Sequence, residues 1–299
     1  MGLLMVGQLA AQPLKVYILA GQSNMLGLGQ VAGKESPGTV ENLISSGEDD
    51  EFGFLANKSG KIAEQEDVWV YFDRDGELLT QNLAPGLGKG SNFIGPELGF
   101  GEQIQKQEDQ QILLIKIAWG GKSLGKDFRP PSAGGATGPY YTRMVEQIHD
   151  ALGSIKKHFP RYKSGDGYEI AGLFWHQGWN DRINKSFTDE YPENMKALIK
   201  DLRSEFKTDF PVVIATTGMA TKRDAMAGKA GKQHPIEKAQ LSLASKRDKV
   251  AVVDTKKLWI DPKKCPSSGG GQHYHWNQSA EIYINIGKAS AEEFEALSK

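Results

Sequence analysis

Cysteine is nearly absent: Cys265 is the single one among 299 residues. No intrachain disulfide can form, and a reactive-cysteine reading needs a histidine brought by the fold to a Pro/Ser/Gly loop. No apolar run reaches membrane-spanning length. Neither sign of charge is in excess. The 36 Lys and Arg face 37 Asp and Glu, for a formal net charge of -1, which leaves no electrostatic footprint for nucleic acid or an acidic polymer. The densest acidic stretch, Glu48-Asp49-Asp50-Glu51, lacks the spaced ligands and glycine of a dedicated calcium loop and reads as a solvated face.

What is present is a chain long enough to bury a substantial core. Apolar strand-like runs at 15–20, 67–72, 111–118, 168–176, 210–217 and 250–254 alternate with helical patterns at 97–108, 140–158, 189–206, 233–246 and 278–298. Such alternation predicts an α/β protein, three-layer α/β/α, with a mainly parallel sheet covered on both faces. No repeat or linker splits residues 15–299, so they are expected to form a single domain. Residues 1–14 read as an N-terminal tail or the remnant of a signal peptide. The apolar start ends in small residues but lacks a basic n-region; export to the periplasm or outside is the expectation, a cytoplasmic chain the alternative. Three irregular segments, 26–66, 76–95 and 120–139, follow strand ends, where an open α/β sheet holds its ligands.

The most informative stretch is Lys15-Val-Tyr-Ile-Leu-Ala-Gly-Gln-Ser-Asn-Met25. A buried strand ends abruptly at Gly21, which can take backbone angles closed to other residues. Ser23 then stands at the carboxyl edge of the sheet, either as an exposed nucleophile on a strained turn or as the cap of the next helix. Three further sites fall at strand ends. Gly120-Gly121 lets backbone N–H groups approach a ligand. Asn180, in Gly178-Trp179-Asn180-Asp181, carries an amide able to donate to a developing oxyanion. His275 precedes the last helix and can reach back over the sheet edge as a base for the serine.

These four blocks, in this order over roughly residues 15–290, resemble those of the SGNH hydrolases. Ile94-Gly95-Pro96-Glu97, Ala118-Trp119-Gly120-Gly121-Lys122-Ser123-Leu124 and Phe174-Trp175-His176-Gln177-Gly178 are similar to the sialate O-acetylesterase-like branch, which includes acetyl-xylan-type carbohydrate esterases. The closing Ala280-Glu281-Ile282-Tyr283 to Ile286-Gly287 fits as well. The resemblance implies a flavodoxin-like three-layer fold and ester hydrolysis on an acylated carbohydrate through an acyl-enzyme. Ser23 is implied as nucleophile, His275 as base, and Ser23 N–H, Gly121 N–H and the Asn180 side chain as the oxyanion hole, with Gly120 and Gln177 as alternative donors. No metal or organic cofactor is implied.

The chain departs from the pattern where an Asp stands three residues before the histidine: here it is Gln272, and before His273 it is Gly270. Neither orients a histidine as a carboxylate does. Glu281, Asp254 or Asp261 can supply an acid from elsewhere, with Glu281 the first choice; a backbone carbonyl can orient the ring; or turnover is weakened, leaving a carbohydrate-binding protein. The residue after Gln177-Gly178 is Trp179 where the branch commonly has Glu. Trp179 and Trp276 are candidates for lining a sugar pocket, while Trp119 and Trp175 read as packing. Lys122 and Arg129 are candidates for binding a carboxylate or sulfate on the sugar, or are solvated loop charges. His176 reads as a buried histidine and Glu97 as a helix-start residue. A flavodoxin-like cofactor site fits poorly, because Gln22-Ser23-Asn24-Met25 lacks the well-spaced glycines that cradle phosphate.

Overall fold

The computed structural model describes residues 12–46, 50–108, 110–269 and 271–299. The expected N-terminal tail, apart from residues 12–14, lies outside the described residues, as do Glu48, Asp49 and Gly270. Seven strands form one sheet: β1 (Leu14–Gly21), β2 (Gln65–Arg74), β3 (Glu77–Leu83), β4 (Ile112–Ala118), β5 (Tyr168–His176), β6 (Val212–Ala215) and β7 (Val250–Val253). Their order is β3-β2-β4-β1-β5-β6-β7. Every pairing is parallel except β2 with β3, an antiparallel hairpin at one edge.

A parallel sheet needs both faces covered, and its strands are apolar on both sides. In β4 all seven residues are buried. Tyr17 and Leu19 of β1 point into one core, and Val16, Ile18 and Ala20 into the other. The first core is closed by α2 (Glu97–Gln107) and α6 (Ala280–Ser298), the second by α3 (Pro139–Gly153), α4 (Lys185–Phe206) and α5 (Pro235–Leu241). The result is the three-layer α/β/α arrangement. An aromatic cluster, Tyr17, Phe100, Phe174 and Phe294, locks β1, α2, β5 and α6 together, with ring centroids 5.3–5.7 Å apart.

Lys116 is the exception in β4, a fully buried lysine. Its ammonium donates to Leu26 O at 2.9 Å and Leu87 O at 2.6 Å and pairs with buried Glu97 at 2.7 Å. Desolvation lowers its pKa. Glu97 opens α2, but its carboxylate also takes the Gly95 N–H and neutralises Lys116, so helix capping is not its whole role. The pair ties the chain after β1 to the loop after β3, two segments that wall the cleft described next. Breaking such a buried pair from one side typically costs ~3–5 kcal/mol.

Candidate active site

The register of the sheet decides what meets at its carboxyl edge. Gly21, the last residue of β1, lies opposite Ala118 of β4 on one side and His176 of β5 on the other. The turns that follow these three neighbouring strands therefore emerge together: Gln22-Ser23, Gly120-Gly121 and Gly178–Asp181. Gly21 is required here, because a Cβ would collide with His176 O.

Ser23 opens a short helix, α1 (Ser23–Leu26), as its first turn; Gln22 holds the cap position, and its side chain makes no cap bond. Capping therefore does not account for Ser23. It lines a cleft of about 320 Å³ together with Gly120, Gly121, Trp179, Asn180 and His275; Leu26, Leu28, Lys89 and Tyr274 complete the wall.

The side of the cleft beyond β5 is organised by Gln22, which is buried. Its Nε2 donates to Asn180 Oδ1 at 3.0 Å, while its Oε1 accepts from Gly178 N at 3.1 Å and Asn180 N at 3.3 Å. With Oδ1 committed to Gln22, Asn180 turns Nδ2 toward Gly121, 4.0 Å from where a Cβ on that glycine would stand. Gly121 itself has φ +72°, a left-handed angle that favours glycine. Asp181 anchors the same loop from beneath. Its carboxylate accepts from Leu124 N at 2.9 Å, Gly125 N at 2.8 Å and Gln177 Nε2 at 2.6 Å. Burial pushes Asp181 up to about 6, against these three donors.

The other side is the turn His273–Gln278. Asn24 Nδ2 donates to Tyr274 O at 3.1 Å, and Tyr283 OH donates to Asn24 Oδ1 at 2.7 Å. The three polar residues of the opening motif thus divide the work of position: Gln22 braces one wall, Asn24 the other, and Ser23 lies between. His275 Nδ1 stands 2.9 Å from Gln272 Oε1, so Nε2 is the remaining ring nitrogen. Burial, reinforced by Lys89 and His273, lowers the His275 pKa to about 4 and keeps the ring neutral. Ser23 and His275 line one cleft, and among the described residues no hydrogen bond joins their side chains. His273 packs instead against Trp179, with ring centroids 6.0 Å apart.

Several expected roles move. Gln177 is buried, and its amide N–H groups are used by Lys122 O at 2.9 Å and Asp181, leaving none for an oxyanion. Trp276 does not line the cleft: it is 1% exposed, inside the first core, at a left-handed φ of 52°. Arg129 is a brace for its own loop, donating to Gly125 O, Ala133 O and Gly134 O and pairing with Glu190. The Lys122 ammonium lies 4.1 Å over the Tyr140 ring and outside the cleft lining. Glu281 sits in the first turn of α6, where its charge acts on Cys265. The side-chain oxygen that meets Nδ1 of His275 belongs to Gln272, not to Glu281. Burial raises the Cys265 thiol to about 12, which removes it as a nucleophile. His176 is buried with Nδ1 3.2 Å from Ala215 O. Glu51 of the acidic stretch pairs with Lys288.

Gln22, Asn24, Asp181, Gln272, Lys89 and Tyr274 are the site residues that sequence reasoning left without a role. The first three lie inside quoted motifs, and their polarity beside a buried strand was the available signal. Lys89 and Tyr274 carried none. Among the described residues no three His, Cys, Asp or Glu side chains gather as a metal site, and no helix is long and apolar enough to cross a membrane. A wider groove of about 720 Å³ opens beside Tyr168–Ile170, at the amino ends of the strands, away from this cleft.

A parallel α/β sheet with its cleft at the carboxyl edge of three adjacent strands defines the structural class. Residues 13–294 match the family described as "Carbohydrate esterase, sialic acid-specific acetylesterase", and the chain belongs to that family of carboxylic-ester hydrolases. A probable carbohydrate esterase of Arabidopsis thaliana is 25% identical over 283 residues, covering 93% of this chain and 90% of the relative. A solved Arabidopsis thaliana structure shares the fold, with TM-score 0.63 at 20% identity, over 95% of this chain and 98% of that one. A carbohydrate acetylesterase from Xanthomonas citri aligns with TM-score 0.49 at 14% identity, over 80% of this chain and 50% of that one.

Proposed function

We propose that this carbohydrate esterase removes short acyl groups, acetyl foremost, from sugar hydroxyls through an acyl-enzyme on Ser23. The observation that carries this reading is the convergence of Ser23, Gly121, Asn180 and His275 on one cleft, with the Asn180 amide held nitrogen-outward by Gln22. Ser23 Oγ attacks the acyl carbonyl, and His275 Nε2 takes its proton. The oxyanion is received by the N–H groups of Ser23 and Gly121 and by Asn180 Nδ2. Collapse expels the sugar alkoxide, which takes the proton back from His275. Water, activated by the same nitrogen, then releases the acid and restores Ser23. The apo separation of Ser23 and His275 is compatible with this cycle, because catalytic hydrogen bonds tighten on substrate binding.

The test is hydrolysis of p-nitrophenyl acetate by wild type beside Ser23→Ala and His275→Ala. The expected result is a p-nitrophenol burst in wild type, the sign of an accumulating acyl-enzyme, with turnover lost in both variants. Full activity in Ser23→Ala overturns the nucleophile assignment. A folded wild type inert towards this ester and acetylated sugars alike overturns the reading in favour of a sugar-binding protein.

A further inference from the structure

We propose that Gln272 is the positioning residue of the base: its side-chain oxygen selects the His275 tautomer protonated on Nδ1, so that an amide does the orienting work usually given to a carboxylate. This rests on His275 being the base of the proposed reaction.

Three features of the turn support it. Gln272 stands three residues before His275 and meets it twice: its backbone oxygen accepts from His275 N at 2.8 Å and its side-chain oxygen lies 2.9 Å from Nδ1. The same backbone oxygen accepts from Asn277 N at 3.0 Å. The turn is thereby closed on Gln272, across three consecutive left-handed residues, Trp276, Asn277 and Gln278, with φ of 52°, 51° and 61°. Buried Trp276 and the Asn24–Tyr274 bond fix it to the core.

The chemistry of an amide differs from that of a carboxylate in one respect. An amide oxygen accepts from Nδ1–H and fixes the tautomer, leaving the Nε2 lone pair for the Ser23 proton. It carries no charge, so it gives the imidazolium no ionic partner. Among the described residues, the charged and titratable groups facing His275 are Lys89, from the loop after β3, and His273 and Tyr274 from its own turn. None is a carboxyl group, and both Lys89 and His273 disfavour a positive charge on His275. The pair Gln272–His275 is therefore a base that stays unprotonated into acid, and turnover requires only that unprotonated form. The expected pH profile has its acidic limb well below the 6.5 of an ordinary histidine.

The measurement is the ¹⁵N–¹H spectrum of the imidazoles of wild type, Gln272→Leu and Gln272→Glu, beside the pH dependence of kcat/KM for p-nitrophenyl acetate. Wild-type His275 is expected as the Nδ1–H tautomer, its resonance assigned by its loss in His275→Ala. Gln272→Leu loses the tautomer preference, and kcat/KM falls about ten- to a hundredfold with little change in KM, by analogy with the loss of the outer partner of a metal-bound histidine. Gln272→Glu keeps the tautomer and moves the acidic limb up by about one to three pH units, because an adjacent carboxylate favours the imidazolium. A merely structural glutamine predicts an unchanged tautomer in folded Gln272→Leu. An Nε2–H tautomer in the wild type, or an acidic limb unmoved in folded Gln272→Glu, overturns the proposal. Loss of tautomer control decides this point even if His275→Ala retains activity, a result that defeats the assigned base instead.

Discussion

On the Asn180 side of the cleft, Gln22, Gln177 and Asp181 form a buried lattice that joins the turns after β1, β4 and β5. On the His275 side, Asn24 and Gln272 hold a turn that is otherwise closed by its own backbone. The contrast matches what the proposed mechanism asks of each side. Oxyanion donors stabilise charge only if they are already aimed when it develops, so rigidity there is worth rate. A base must accept a proton and return it, and needs one ring nitrogen fixed while the other stays available. The lattice is built from the sheet outward; the histidine turn is hung on the last helix.

If that division is right, the largest effect comes from cutting the lattice at its deepest point. Asp181→Ala strands the N–H groups of Leu124 and Gly125 and the Gln177 amide in a buried place. At ~1–3 kcal/mol for each orphaned donor, the loss of stability is expected to be on the order of 3 kcal/mol or more, read from urea unfolding. A loss under about 1 kcal/mol would mean that the Gly120-Gly121 loop holds itself and the lattice is ornamental. Asn180→Ala tests the same side with the fold left intact. Turnover is expected to drop ~10²–10³-fold with KM little changed, in steady-state kinetics on p-nitrophenyl acetate. An unchanged kcat would reassign oxyanion binding to the backbone N–H groups of Ser23 and Gly121 alone.

The same contrast separates what could be read in the sequence from what could not. The buried parallel strands announce themselves as apolar runs, and Ser23, Gly121, Asn180 and His275 stand in ordered motifs. The edge strand β3 escaped, because Glu77–Leu83 is a largely solvated hairpin partner with no apolar run. Helix α4 starts at Lys185 rather than 189, since Asn184 caps it by accepting from Ser186 N, a local signal that the apolar period does not carry. Helix α5 is shorter than the expected 233–246, as Ser245 turns to bridge Val250. Gln22 could not be given its role without knowing that β1 and β5 are neighbours. Trp276 could not be placed either: its residue type suggests a sugar platform, but a left-handed backbone swings it into the core. Arg129 shows the same gap, where a loop charge proves to be the clamp of its own loop.

The smallest effect expected is electrostatic and lies on the histidine side. Lys89 lines the cleft, and its charge is the second cause, after burial, of the depressed His275 pKa. In Lys89→Met the burial remains and only the charge is lost. The folded value therefore rises from about 4 but stays below 6.5. In the proposed mechanism the unprotonated ring is the active form, so activity lost on acidification is lost sooner, and the acidic limb of kcat/KM moves up by less than about one pH unit. Salt supplies an internal control. Screening of Lys89 shifts the wild-type limb in the same direction as ionic strength rises, whereas Lys89→Met shows little salt dependence. A limb that neither mutation nor salt displaces would show that Lys89 is already neutralised by solvent and that burial alone sets the base. A limb displaced by salt in both proteins would place the responsible charge elsewhere, with His273 the next group to test.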